Sequence, residues 1–190
     1  MTVKLVILDR DGVINQDSDA YIKSPDEWVP IANSPQAIAR LNNAGWTVTV
    51  ATNQSGIGRG LFDHDQLALI HQKMARELAT VGARIETIAY CPHRPDNGCT
   101  CRKPRTGLLE SLARRFGVEL TGVPVIGDAL RDVQAAMAVG ARPLLVRTGK
   151  GERTCATHGV ELSNVEQFPD LFAVVDALLS ESRAGSGRQP

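Results

Sequence analysis

Two acids, Asp9 and Asp11, stand at the end of the apolar run VKLVIL, with one arginine between them and Gly12 behind them. Taken alone, such a pair is an ordinary turn with solvated carboxylates. Other residues capable of chemistry end other apolar runs. Thr52 and Asn53 close WTVTVAT, Asp128 closes VPVIG with Asp132 four residues on, and Lys103 follows the segment that starts with ARIETIAY. Each has an innocuous explanation, since an Asp after a strand commonly caps the next helix and a lysine before proline is usually on the surface. Convergence changes the reading. Three carboxylates at one sheet edge repel unless a cation lies among them. An all-oxygen set suits Mg²⁺, which takes few carboxylates and keeps several waters. Lys103 adds positive charge for an anionic substrate.

A second cluster lies in CPHRPDNGCTCRKP, which holds Cys91, His93, Cys99 and Cys101, while the fourth cysteine, Cys155, is remote. Three thiolates and one imidazole on a short loop form a closed tetrahedral set of the structural Zn²⁺ type. A disulfide with a spare thiol is the competing reading. A reducing compartment disfavours it, and it leaves His93 without a purpose. The cluster ends beside Arg102 and Lys103, so zinc is expected to order the loop that presents these cations.

The elements that must position these residues alternate. VKLVIL (3–8), WTVTVAT (46–52), ARIETIAY (83–90), VPVIGD (123–128) and PLLVRT (143–148) read as buried strands. Between them lie helical patterns. SPQAIARLNNAG has Ser34 as expected N-cap, Pro35 at the first helical position and Gly45 past its end. Leu67, Ile70, Met74, Leu78 and Val81 recur at helical spacing over 63–81. Helices are also expected over 106–117, about 130–139 and 168–181. The alternation predicts an α/β fold, a doubly wound parallel sheet with helices on both faces. Ligands then bind beyond the carboxyl ends of the strands. About thirty residues separate the first acids from the second strand, and the span from Asn53 to Arg102 is spent on a helix, a strand and the cysteine loop. No separate cap domain is expected, and the site should be walled by loops 15–30, 53–62 and 91–104.

The 190 residues suit a single domain, expected over 1–182, with a polar tail over 183–190. With 21 basic and 21 acidic residues and only 4% aromatics, the chain lacks the basic excess and stacking platform of a nucleic-acid binder. No apolar run is long enough to span a membrane, and the N-terminus lacks a signal-peptide layout. A cytoplasmic monomer acting on a small molecule is expected.

Four segments, DRDGVIN, ATNQSGIGRG, CRKP and GDALRD, resemble in order the four motifs of the haloacid dehalogenase-like phosphatases, over about residues 4–150. The resemblance implies Mg²⁺-dependent phosphoryl transfer through an aspartyl-phosphate. It makes Asp9 the nucleophile and Asp11 the general acid and then base. It assigns Mg²⁺ to the Asp9 carboxylate, the Asp11 backbone carbonyl and Asp128, and the transferring oxygens to Thr52 and Lys103. The zinc loop is similar to that of the branch holding heptose-bisphosphate and histidinol-phosphate phosphatases, with the motifs closer to the former. That implies a sugar phosphate substrate held by Asp17, Ser18, Asp19, Ala20, Tyr21, Asn53, Gln54, Ser55 and Arg102. Arg59 is a further candidate, because guanidinium forks suit phosphate oxygens. Ala129 stands where a lysine can occur in that branch, with Arg131 the replacement in reach. Outside this family, a phospho-accepting receiver module uses similar residues, but it carries the phosphorylated Asp after a middle strand.

Overall fold

The computed structural model describes residues 3–186. Among these, six parallel strands lie in the order β3-β2-β1-β4-β5-β6: β1 (Lys4–Leu8), β2 (Trp46–Asn53), β3 (Thr87–Cys91), β4 (Pro124–Gly127), β5 (Arg142–Val146) and β6 (Glu166–Phe168). The helices are α1 (Ser34–Asn43), α2 (Ser55–Gly58), α3 (His64–Ala79), α4 (Gly107–Phe116), α5 (Leu130–Ala138), α6 (Gly151–Thr157) and α7 (Leu171–Ser186). The β1 run is almost uninterrupted in hydrophobicity because both of its faces are covered. Val6 and Leu8 enter one core with Ile38 and Leu41 of α1, Ile70 and Met74 of α3, and Val174 and Val175 of α7. Leu5 and Ile7 enter the opposite core with Leu109 and Leu112 of α4 and Ala135 and Ala136 of α5.

Local chemistry sets the element ends. The Asp63 carboxylate accepts a hydrogen bond from the Gln66 amide at 2.8 Å and opens α3. That helix stops at Ala79, and Gly82 turns away at φ +72°. Val81, expected on the buried stripe, is therefore 37% exposed. Gly117 closes α4 in the left-handed conformation, at φ +62°. Ser34 is not the cap of α1. Asn33 takes that place, while the Ser34 hydroxyl donates to the Val13 carbonyl at 2.8 Å. The third strand starts at Thr87, later than its apolar pattern suggests. The short α6 and β6 were not expected from periodicity. Helix α7 runs through Ser186, into the stretch expected as a tail, and residues 187–190 lie outside the described residues.

The segment between β1 and α1 forms a wall rather than a domain. Trp28 is fully buried within it. Lys73 of α3 donates to the Pro25 and Trp28 carbonyls at 2.9 and 3.0 Å. Asn15 bridges to Pro30 across the segment's base.

Candidate active site

The chain builds outward from β1 through β2 and β3, then returns to place β4 on the other side of β1. Helices on the two sides part there, leaving a crevice beyond the carboxyl ends of β1 and β4. Asp9 and Asp128 occupy those ends, and the Asp9 amide donates to the Ile126 carbonyl at 2.8 Å. Gly12 sits at φ +82°, and a Cβ there would collide with the Asp128 carboxylate. The glycine thus permits both the turn and the close approach of the acids.

Lys103 reaches the same place from the cysteine loop. Its Nζ donates to the Ala51 carbonyl at 2.6 Å and lies 3.2 Å from Asp9 Oδ1 and 2.7 Å from Asp132 Oδ1. Its backbone is clasped by the Asn53 side chain at 3.0 and 3.1 Å. Asn53, expected as a substrate contact, thus holds the loop that carries Lys103 as well as lining the cavity. Burial works against the charge on Lys103, but Asp132 and Asp9 more than compensate and raise its pKa.

The acids show the cost of their grouping. Burial pushes the Asp9 carboxyl up, only partly countered by Lys103. Burial, with Asp132 and Asp9 adding repulsion, pushes Asp128 up to about 8. The donor set invites a cation. Ligand oxygens of Asp9, Asp128 and Asp132 lie within 4.8 Å of one another. Asp128 Oδ1 is buried with no hydrogen-bond partner, while Oδ2 accepts from the Lys150 amide at 2.7 Å. Asp132 is already committed to Lys103 and to the Ala129 amide at 3.1 Å. An orphaned carboxylate oxygen in an all-oxygen cluster fits Mg²⁺.

Asp11 has a different environment. Burial raises its pKa, but Arg10, Asn15 and Gln54 outweigh that and hold it below the usual carboxylate range. It faces a cavity of about 250 Å³. Every residue expected to touch substrate lines this cavity except Ala20, which is exposed and turns its carbonyl to Lys23 at 2.9 Å. Arg131 and Lys150 line it too. Lys150 was missed in the sequence, as was the role of Asp132. Lys150 Nζ lies 2.7 Å from Asp17 and 3.5 Å from Asp19, so it steadies the acidic loop. The signal was available, because Lys150 lies just beyond the expected strand PLLVRT (143–148).

The cysteine cluster comes together as expected. Cys91 Sγ lies 3.7 Å from Cys99 Sγ and 3.5 Å from His93 Nδ1, and His93 Nδ1 lies 3.3 Å from Cys101 Sγ. Sulfurs 3.7 Å apart are not a disulfide. Zinc–sulfur and zinc–nitrogen bonds of the usual lengths give tetrahedral edges of about 3.8 and about 3.5 Å, which these separations match. The four residues could hold zinc with no open position. Arg102 Nη1 donates to the His93 carbonyl at 3.3 Å, tying the cluster to the cavity wall.

Comparison with known proteins gives consistent matches. The family model described as polynucleotide kinase 3 phosphatase matches residues 4–135, and the HAD-hydrolase-like model matches residues 100–176. A D-glycero-beta-D-manno-heptose-1,7-bisphosphate 7-phosphatase of Bordetella bronchiseptica is 54% identical over 95% of this chain and 100% of its own length. The enzyme of the same name from Pseudomonas aeruginosa is 51% identical over 94% and 99%. A crystal structure of D,D-heptose 1,7-bisphosphate phosphatase from B. bronchiseptica, complexed with magnesium and phosphate, superposes with a TM-score of 0.91 at 55% identity, covering 94% of this chain and 99% of the other.

Proposed function

The chain belongs to the haloacid dehalogenase-like hydrolases, and from that premise we propose that it is a Mg²⁺-dependent phosphatase that removes the 7-phosphate of D-glycero-D-manno-heptose 1,7-bisphosphate. The observation that carries this reading is the meeting of Asp9, Asp128 and Lys103 at the point where the strand order reverses, beside a cavity that Asp11 faces. The β anomer is the reading favoured by the names of the relatives.

Asp9 attacks phosphorus, so that one difficult displacement becomes two easier ones. Asp11 gives a proton to the departing sugar oxygen and then takes one from the water that cleaves the aspartyl-phosphate. Lys103 and the Thr52 hydroxyl stabilise the transferring oxygens. Asp9, the Asp11 carbonyl and Asp128 would hold Mg²⁺, which supplies charge neutralisation between nucleophile and phosphate. Arg59, Arg102 and Arg131 line the same cavity as cations and suit the second phosphate of a bisphosphate. Cys91, His93, Cys99 and Cys101 would hold Zn²⁺, which would order the loop bearing Arg102 and Lys103. The protein acts as a cytoplasmic monomer, and no described helix is long and apolar enough to cross a membrane.

The test is a panel of both heptose bisphosphate anomers, histidinol phosphate and common sugar phosphates. The highest kcat/KM is expected for the β-bisphosphate, with release of one phosphate. Preference for histidinol phosphate, or turnover of none, would overturn the assignment.

A further inference from the structure

Arg10, the residue between the two acids, is entirely buried, at 0% exposure. A guanidinium stays charged in a protein, and burying a charge is costly unless its donors are matched. These donors are directed. Nε lies 3.0 Å from Asp11 Oδ1, and Nη2 lies 2.9 and 3.0 Å from the two Asp11 oxygens. Nη2 also donates to Gln54 Oε1 at 3.2 Å, and Nη1 is 3.4 Å from His71 Nε2. Gln54 in turn donates to Asp11 Oδ2 at 3.0 Å, and Asn15 donates to Asp11 Oδ1 at 2.9 Å. Three side chains therefore hold one carboxylate, which remains 21% exposed. Asp11 and Gln54 line the cavity, whereas Arg10 does not.

A general acid must lie within hydrogen-bond reach of the atom it protonates, about 2.6–3.2 Å, and a carboxylate on a turn would otherwise rotate. We propose that Arg10 is a positioning residue for proton transfer: backed by His71 and Gln54, it clamps the Asp11 carboxylate toward the leaving oxygen without touching substrate. This rests on the reading of Asp11 as acid and base in the proposed phosphatase. In the step concerned, a bond forms between an Asp9 oxygen and phosphorus, and the bond from phosphorus to the sugar oxygen breaks. The sugar oxygen takes that electron pair and a proton from the protonated fraction of Asp11, a fraction that the same three side chains keep small because they hold the carboxyl below its usual range.

The consequence is selective by leaving group. A sugar alkoxide needs the proton, whereas p-nitrophenolate leaves without it. The experiment compares kcat/KM for the heptose bisphosphate and for p-nitrophenyl phosphate in wild type, Asp11→Asn, Arg10→Met, Arg10→Lys and the double variant Arg10→Met/Asp11→Asn. This parameter covers only steps through departure of the alcohol, so hydrolysis of the aspartyl-phosphate does not enter. Arg10→Met should lower the sugar value about 10²-fold and the aryl value by less than about tenfold, the range of general acid catalysis. Arg10→Lys keeps the charge without the fork and should fall between. On the Asp11→Asn background, Arg10→Met should change either value by no more than about twofold, because residues acting as one unit are not additive. Equal losses on both substrates, or a full further loss in the double variant, would overturn the clamp. Asp11→Asn losing both substrates equally would overturn the acid–base reading and the clamp with it, whereas selectivity in Asp11→Asn but not Arg10→Met overturns the clamp alone. Should Arg10→Met not fold, His71→Leu loosens the same guanidinium from behind. Sugar-selective loss there supports the clamp, and equal or no loss overturns it.

Discussion

Lys103 Nζ lies 2.7 Å from Asp132 Oδ1, and both side chains are 2% exposed. Asp132, at the first turn of α5, is the counter-charge that keeps Lys103 ionised and directed at Asp9. Burial pushes the Asp132 carboxyl up, but Lys103 and Arg131 outweigh this and hold it below the usual range.

Asp132→Asn should therefore cost about 3 kcal/mol at pH 7, as expected when one partner of a buried pair is removed. A depressed folded pKa stabilises above the unfolded carboxyl value and loses that stabilisation as pH falls through the folded value. The stability gap between wild type and Asp132→Asn should shrink as pH falls below about 4, near the unfolded Asp pKa. Urea denaturation across that range measures it. A gap independent of pH would count against the pair.

Asp9→Asn should abolish turnover while the protein stays folded. An amide is not a nucleophile toward phosphorus, and the wild-type carboxylate already carries a burial penalty. Phosphate release and circular dichroism together check this. A folded variant with near-normal rates would remove Asp9 from the nucleophile role.

Mg²⁺ should raise the Tm of wild type, because binding to the folded state alone stabilises it, by about 2.7 kcal/mol at a hundredfold excess over Kd. Asp128→Asn should lose most of that shift and need more Mg²⁺ for activity, since Asp128 Oδ1 has no other partner. A chelator that removes Mg²⁺ but leaves zinc should stop turnover reversibly. Full activity under those conditions would refute the metal assignment.

The purified protein should carry about one zinc, as a closed four-ligand site implies. Cys101→Ser should lose the metal and loosen the loop before Arg102 and Lys103, raising KM as well as lowering kcat. Added Mg²⁺ should not rescue it, because a hard cation does not favour thiolates. Metal analysis and kinetics decide the matter, and fully active metal-free wild type would refute it.

The sequence by itself determined what short spacing and periodicity encode. The alternation of apolar strands with helical stripes was enough for a parallel doubly wound sheet. Asp9, Asp11, Thr52, Lys103 and Asp128 could be placed because each follows such an apolar run or the loop beyond one. The cysteine cluster was legible because its four residues are close together in the sequence. Short elements such as β6 and α6 were not, since three or seven residues carry too little periodic signal. Tertiary structure alone decided how these groups pair. Asp132 meets Lys103, Lys150 meets Asp17, and Arg10 turns inward to Asp11, Gln54 and His71. No local pattern announces those contacts. A charged side chain within or beside a strand reads the same whether it faces water or a buried partner, and only the packed sheet, by excluding water from the crevice, requires each charge to find its counter-charge.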